Sequence, residues 1–510
     1  MSYNVGQVPL VVRLTLFLTC VSVCPCPAGS EDLLALQDTP GTPGGRLVVA
    51  LRAQPKTLNP VLVTDAPTRE VTQRMLGDLI TINRLTQTTE PGLAKSWTVS
   101  NDGLHYTLHL RRGLRFSDGH PWTADDVDFS YRVYLDEKVA SPQRDLLLIG
   151  GKPLAVRKVD DDTVAFDLAQ PYAAAERLFD SIAILPRHLL EKPWREGKIA
   201  QAWTLATPPQ QIAGMGPFRL KEYKPGERLV LERNPFYWKT DKAGRRLPYL
   251  DEIEFQFAGS EEAQVLRFSA GQADLLNRLS ARDFAFLAKE RAGRGDLLED
   301  LGPGLEYNFF FFNLTPGATP KAAWFARKEF RQALSATLDR QALVRLVYGG
   351  RAAPLWSHVP PGNRLWVNRE LAPRPRSPGK ARELLKAAGF HWNARGGLED
   401  SSGQPVEFSL ATSAGNPERV QMAAIIQDDL KQIGVRVQVA PLEFRVLLDK
   451  VLNRRDFEAC LLSLGGGDAD PNAEMNIWLS SGATHLWNPS QKVPATEWER
   501  EIDALMRQQL

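Results

Sequence analysis

The stretch from Glu90 to Tyr134, EPGLAKSWTVSNDGLHYTLHLRRGLRFSDGHPWTADDVDFSYRVY, leaves the backbone few choices. Ser96 to Val99 begins a strand, and Asn101-Asp102-Gly103 is a hairpin turn with glycine where positive φ is needed. Tyr106, Leu108 and Leu110 then alternate with His105, Thr107 and His109, the period of a half-buried strand. Gly113 breaks that run, Phe116 closes a short strand, and Ser117-Asp118-Gly119 makes a second turn. Thr123 with Asp126 forms a capping box that opens a helix with Val127, Tyr131 and Tyr134 on its apolar side. None of these groups is an obvious catalyst, so the stretch is architectural.

At 510 residues the chain can hold two to four domains and bury a sizeable core. Its 62 basic and 60 acidic residues nearly cancel, and no basic block stands out, which speaks against a nucleic-acid partner. Cys20, Cys24 and Cys26 lie in a segment that reads as an export signal. Arg13 is its only charge, Leu14 to Val23 form a short apolar core, and Cys26-Pro27-Ala28 offers small residues for cleavage. A spanning helix needs about 20 apolar residues, roughly twice this run. The expected mature chain starts near Gly29 and keeps only Cys460, a buried core thiol, with no internal disulfide. The segment Val21-Ser22-Val23-Cys24 is the nearest approach to a lipid-attachment site, so a lipoprotein is the alternative.

Residues 29 to 45 are polar and rich in Pro and Gly, as a linker would be. Leu47 to Leu51 is a β-type run, Thr68 to Leu79 has helical spacing, and Ala173 to Leu190 reads as helical with a break at Pro186. Pro225-Gly226 suits a type II turn between the strands Phe218 to Tyr223 and Leu229 to Leu231. From Tyr307 the pattern changes to αβ alternation. Ser377-Pro378 opens one helix and Gly389 stops it. Val406 to Leu410, a helix capped by Asn416-Pro417, and Val435 to Val439 form a βαβ unit, predicting parallel strands with a right-handed crossover. Phe457 to Ser463 is a further buried strand. Thr496 with Glu499 is a second capping box, with Trp498, Ile502, Leu505 and Met506 as the expected apolar stripe of the last helix.

The strings L-A-x-S-W, D-G, Y-x-L-x-L-R-x-G and F-x-D-G-x-P-x-T-A-x-D-V, running from Leu93 to Val127, resemble the signature of the family 5 extracellular solute-binding proteins. These are the peptide, dipeptide and nickel receptors of ABC importers. Thr57-Leu58-Asn59-Pro60, the hairpin from Gly216-Pro217-Phe218 to Asn234-Pro235 and Tyr237-Trp238, Gly271 to Asp274, and Phe330 to Arg340 resemble further landmarks of that family. The resemblance implies an α/β, two-lobed periplasmic-binding-protein-like (type II) fold with an extra subdomain inserted in the first lobe. In that reading residues 46–66 and 201–306 form the first lobe and 67–200 the insert. Residues 307–490 form the second lobe, and 491–510 start a helix returning towards the first lobe, cut short relative to relatives. Few lobe crossings, near Tyr307 and after Trp487, permit hinge closure.

Catalytic and metal signatures are weak. His105 and His109 sit on a strand, about 13 Å apart, too far for one ion. Asp468-Ala469-Asp470 has no second ligand cluster to join, and Gly465-Gly466-Gly467 lacks a following Lys-Ser/Thr for phosphate. No G-x-S-x-G elbow or Cys/His nucleophile pattern occurs. In open parallel sheets ligands gather beyond the carboxyl ends of strands, which here means loops 412–417, 440–443 and 463–471. The resemblance assigns the ligand contacts to Ser463, Leu464, Gly465, Gly466, Gly467 and Asp468, the aspartate taking a peptide α-amine, and to Thr64, Asp65 and Ala66 across the cleft. Ser463-Leu464 and Ala469 replace the Gly-Trp pair and the aromatic residue usual in that loop, so peptide length and ligand class stay open.

The expected function is capture of a peptide outside the cytoplasmic membrane, in the periplasm, and its delivery to an ABC permease by a monomer without a cofactor. Nickel, an oligosaccharide or a haem-like solute is the alternative within the class. A secreted hydrolase, sensor or chaperone on the same fold is the alternative outside it.

Overall fold

The computed structural model describes residues 31–83, 85–180, 182–276, 279–290, 297–465, 474–482, 484–489 and 491–508. Strand β1 (Arg46–Leu51) buries Val49, Ala50 and Leu51. At the turn that follows, the Asn59 side chain accepts the Val61 N–H at 3.1 Å and donates to the Ile199 carbonyl at 2.7 Å. Helix α1 (Ala66–Thr72) leads to a short hairpin, β2 (Ile80–Ile82) and β3 (Thr89–Pro91). The signature stretch then supplies β4 (Ala94–Val99) and β5 (His105–Leu110), with Gly103 at φ +70° in the turn, and helix α2 (Ala124–Leu135). The Thr123–Asp126 capping box is formed: the Asp126 carboxylate accepts the Thr123 N–H at 2.9 Å. With β6 (Ala155–Asp160) and β7 (Thr163–Asp167) these strands make an antiparallel sheet of order β4-β5-β7-β6.

After α3 (Arg187–Arg195) come β8 (Phe218–Lys224), β9 (Arg228–Arg233) and β10 (Glu252–Phe257). They form the sheet β8-β9-β10-β1, in which β10 and β1 are parallel and the others antiparallel. Asp274, at the end of the Gly271 to Asp274 landmark, accepts the Val48 N–H at 2.7 Å and so satisfies the outer edge of β1. One continuous apolar core joins both sheets, from Val49 through Tyr131 and Phe179 to Phe257.

Two expected helices are replaced by tertiary pairing. Helix α1 stops at Thr72, because the carbonyls of Arg74 and Met75 accept the N–H groups of Phe218 and Gly216 at 3.0 Å each. Between Ala173 and Leu190 only a short 3-10 turn, Ala175–Phe179, forms before α3 starts behind Pro186. There Leu79 donates to Phe179 O at 3.1 Å and Ile184 to Gly77 O at 3.0 Å, so the two segments pair with each other.

Helices α4 (Glu261–Ser269) and α5 (Ala281–Glu290) lead to residues 297–305 and the second lobe. Its sheet contains β11 (Glu306–Phe312), β12 (Glu407–Ser413), β13 (Arg436–Leu442) and β14 (Ala459–Gly465) in the order β11-β14-β12-β13. Strands β12 and β13 are parallel, as the βαβ spacing predicts. Helices α6 (Lys328–Thr337), α7 (Arg340–Tyr348), α8 (Pro378–Ala387) and α9 (Pro417–Lys431) surround it. The Ser377 and Asn416 side chains cap α8 and α9 as expected. One face of the sheet buries Phe312, Phe330, Phe408 and Leu430, the other Phe311, Leu447 and Cys460. These two clusters are separate from the first-lobe core.

The last elements are α10 (Met475–Trp478) and α11 (Glu497–Gln508), which pack together. The buried side of α11 is Glu499, Asp503 and Met506, while Leu505, expected in the stripe, is 63% exposed. Polar bonding decides this rotation. Asp503 accepts the buried Ser480 N–H at 2.8 Å, and Glu499 accepts Trp487 Nε1 at 3.3 Å and the Thr496 N–H at 2.9 Å.

Candidate ligand-binding cleft

Strands β12, β13 and β14 run parallel, so their carboxyl ends share one edge of the second-lobe sheet. Strand β11 is antiparallel to β14, with Glu306 opposite Gly465, which brings its amino end to that edge. Residues 297–305 lead directly into β11 at this edge.

The chain runs from β12 through α9 to β13 on one side, then to β14 on the other side of β12. That reversal is a topological switch point, where crevices form in open sheets. The ladder itself opens there. Strands β12 and β14 pair only at Leu410–Ala459 and Ala411–Cys460. The buried Thr412 hydroxyl then donates to the Leu461 carbonyl at 3.0 Å. Past this point Ser413 stays with β13 and Leu462 to Gly465 stay with β11. Among the described residues the other edge of Leu462 to Gly465 has no ladder partner.

Two polar clusters flank the opening. On one face Arg419 Nε donates to Asn308 Oδ1 at 3.1 Å, and Asn308 Nδ2 donates to the Tyr348 hydroxyl at 3.1 Å. The terminal nitrogens of Arg419 bond no other described residue. Beside them Ser463 Oγ donates to Glu306 Oε1 at 2.5 Å. Burial raises the Tyr348 phenol above its ordinary range, and Glu418 adds to this. On the other face Glu474 Oε2 accepts Tyr307 OH at 3.1 Å and Trp478 Nε1 at 3.2 Å. The His358 ring lies 4.3 Å from that of Trp478. Burial, and next the Glu474 charge, push the Tyr307 phenol up; burial lowers His358, against the pull of Glu474.

In the first lobe, Arg228 of β9 pairs with Gln256 of β10, placing the Pro225-Gly226 turn at the carboxyl end of β10 and β1. A recess of about 520 Å³ lies beside it, lined by Leu205, Pro208, Pro209, Leu220, Tyr223 and Pro225. The Tyr223 hydroxyl donates to Gln54 Oε1 at 3.0 Å.

Of the residues expected to touch ligand, Ser463, Leu464 and Gly465 stand together at the free edge, opposite Asn308, Tyr307 and Glu306. Gly466, Gly467 and Asp468, with Asp470, lie outside the described residues. Thr64 and Ala66 are exposed at the start of α1. Asp65 is the N-cap of that helix, its Oδ1 accepting the Thr68 N–H at 3.0 Å. Sequence reasoning missed Arg419, Tyr307 and Glu474. Arg419 had a signal: a cation in the first turn of a helix opposes the helix dipole. Tyr307 and Glu474 had none, because their meeting depends on β11 pairing with β14.

A family model described as bacterial extracellular solute-binding proteins, family 5 Middle, matches residues 88–485. A Deinococcus radiodurans protein named "Probable ABC transporter-binding protein" is 32% identical over 459 residues, 86% of this chain and 77% of that one. The oligopeptide-binding protein AppA of Bacillus subtilis is 27% identical over 488 residues, 94% of this chain and 85% of its own. The structure of AppA in complex with a nonapeptide superposes with a TM-score of 0.65 over 92% of both chains. The ABC transporter substrate-binding protein CtaP of Listeria monocytogenes, 26% identical, gives a TM-score of 0.72 over 91% of this chain and 90% of that one. The chain therefore belongs to the family 5 bacterial extracellular solute-binding proteins of ABC transporters, on a two-lobed type II fold, and is a binding protein rather than an enzyme.

Proposed function

We propose that this chain is the extracytoplasmic receptor that captures a peptide in the interlobe cleft and hands it to an ABC permease in the cytoplasmic membrane. The observation that carries the reading is the edge of Leu462 to Gly465 at the switch point, which has no ladder partner among the described residues. An extended peptide adds to such an edge as another strand, its main chain supplying affinity and alternate side chains entering pockets. Asp468, in the glycine-rich sequence that follows β14, takes the α-amine. Arg419, with its terminal nitrogens free towards the described residues, takes a carboxylate. Residues 1–28 act as the export signal, and the monomer works in the periplasm or tethered to the membrane facing outward. Among the described residues no helix is long and apolar enough to cross a membrane. A planar, haem-like solute is the second reading, favoured by the His358–Trp478 ring contact, Trp478 sharing the Glu474 carboxylate with Tyr307.

Native mass spectrometry of the freshly purified protein, followed by calorimetry with dipeptides to pentapeptides, tests this. A co-purified peptide, with affinity lost on N-methylating alternate peptide amides, is the expected result. Asp468→Ala weakens binding roughly 30-fold or more, since truncating one partner of a buried charge pair costs about 2–5 kcal/mol. Retention of a non-peptide solute, or indifference to N-methylation, overturns the strand-addition reading.

A further inference from the structure

The β2–β3 hairpin of the first lobe reaches the second lobe through the Gln87 side chain. Gln87 Nε2 donates to the Gly362 carbonyl at 2.9 Å, and Gln87 Oε1 accepts the Arg364 N–H at 2.9 Å. Both ends of the amide are thus satisfied by the backbone of a single loop, more than 270 residues away in sequence. The Arg364 guanidinium completes the contact by donating to the Leu85 carbonyl at 3.3 Å.

Gln87 is only 9% exposed, although neighbouring Leu85 is 72% exposed. Its φ is +64°, a left-handed conformation unfavourable for a residue with a β-carbon. Such strain persists where surrounding contacts over-determine it. The hairpin supplies these contacts itself. Asn83 Oδ1 accepts the Leu85 and Thr86 N–H groups at 2.9 and 3.1 Å, and Gln87 N–H donates to the Asn83 carbonyl at 2.7 Å. The first lobe alone therefore holds Gln87 in its projecting position.

The loop it grips is fixed from the other side. A β-carbon on Gly362 would stand 2.2 Å from the Pro303 carbonyl oxygen and 2.4 Å from that of Gly304. Pro303 and Gly304 belong to the segment by which the chain crosses between lobes. The loop is therefore held between the hairpin tip and the crossing, where a change of lobe angle must alter its contact with one of them.

We infer that Gln87 is a clasp between the lobes, setting the ratio of closed to open protein before any solute enters. This rests on the two-lobed fold and not on which solute the cleft holds. Two neutral hydrogen bonds shift such a ratio by about tenfold or more. A protein held closed too firmly captures solute slowly, and one held too weakly releases it early, so the clasp sets affinity from outside the solute site.

The test is pulsed dipolar spectroscopy on solute-free protein, with spin labels on non-natural ketone side chains at exposed positions 138 and 386, one in each lobe. Gln87→Ala is expected to raise the long-distance population about tenfold. Gln87→Glu is expected to raise it further, because a carboxylate then faces the Gly362 carbonyl. Gly362→Ala, which displaces the loop, opens the protein by itself, and adding Gln87→Ala to it changes little. Distance distributions for Gln87→Ala and Gln87→Glu that superimpose on the parent's overturn the clasp, as does full additivity of Gln87→Ala with Gly362→Ala. Because no solute is present, this outcome is separable from the fate of the peptide reading.

Discussion

The Thr412 hydroxyl donates to the Leu461 carbonyl at 3.0 Å where β12 and β14 part, and Thr412 is fully buried. A side chain here continues a ladder that the backbone has given up one residue earlier. Thr412→Val keeps the shape and removes the donor, leaving a buried carbonyl unpaired at a cost of about 1–3 kcal/mol. Chemical denaturation measures the loss, and an unchanged midpoint would show that water replaces the hydroxyl. Solute affinity should fall with it, because the Leu461 carbonyl anchors the start of the free edge.

Arg419 opposes the dipole of its own helix, and among the described residues its guanidinium bonds Asn308 alone. Arg419→Gln should leave thermal stability within about 0.5 kcal/mol of the parent, as for a surface substitution away from packing. It should weaken binding of a free-acid peptide roughly 30-fold or more, as for a truncated buried charge pair. Calorimetry with the same peptide as its C-terminal amide is the control. Equal losses for acid and amide would remove Arg419 from the carboxylate role.

His358 titrates below its ordinary range, chiefly because it is buried, with Glu474 pulling the other way. Its neutral form is therefore the folded one. Below about pH 6.5 the unfolded chain takes up a proton that the folded protein resists, so stability falls as pH drops through that value and on to the folded pKa. His358→Phe keeps a ring against Trp478 and removes the proton site. Melting temperature followed from pH 7.5 to 5 should fall more steeply in the parent than in the variant; parallel curves would refute this.

Cys460 is buried in the second lobe, and desolvation pushes its thiol up to about 12. Since the thiolate is the reactive form, the native thiol is inert. Mass spectrometry of alkylated protein should find Cys460 unmodified in native buffer and labelled only at denaturant concentrations that open the lobe. Stoichiometric labelling of native protein within minutes would contradict the packing described.

Much of the local structure was legible because it rests on short-range chemistry. Gly103 takes the positive φ its turn requires, Thr123 and Asp126 exchange their bonds, and Asn416 caps the helix that joins two parallel strands. Each depends on residues a few positions apart, so order in sequence is enough. Patterning failed where distant backbone competes. Residues 73–79 have helical spacing, yet their carbonyls serve Gly216 and Phe218, and the last helix turns its acidic side inward because Ser480 and Trp487 need acceptors.

The cleft divides along the same line. From the sequence alone came the family and a buried strand expected over Phe457 to Ser463, which the structure places at Ala459–Gly465. Tertiary structure decided that β14 leaves β12 after two pairs, which leaves an edge with no ladder partner among the described residues, and that Arg419, Asn308 and Tyr348 meet beside it. It also decided that Gln87 closes onto Gly362. A ladder's end and a bond between lobes are set by how whole sheets twist and pack, and no local run of residues encodes the separation of strands that are about fifty positions apart.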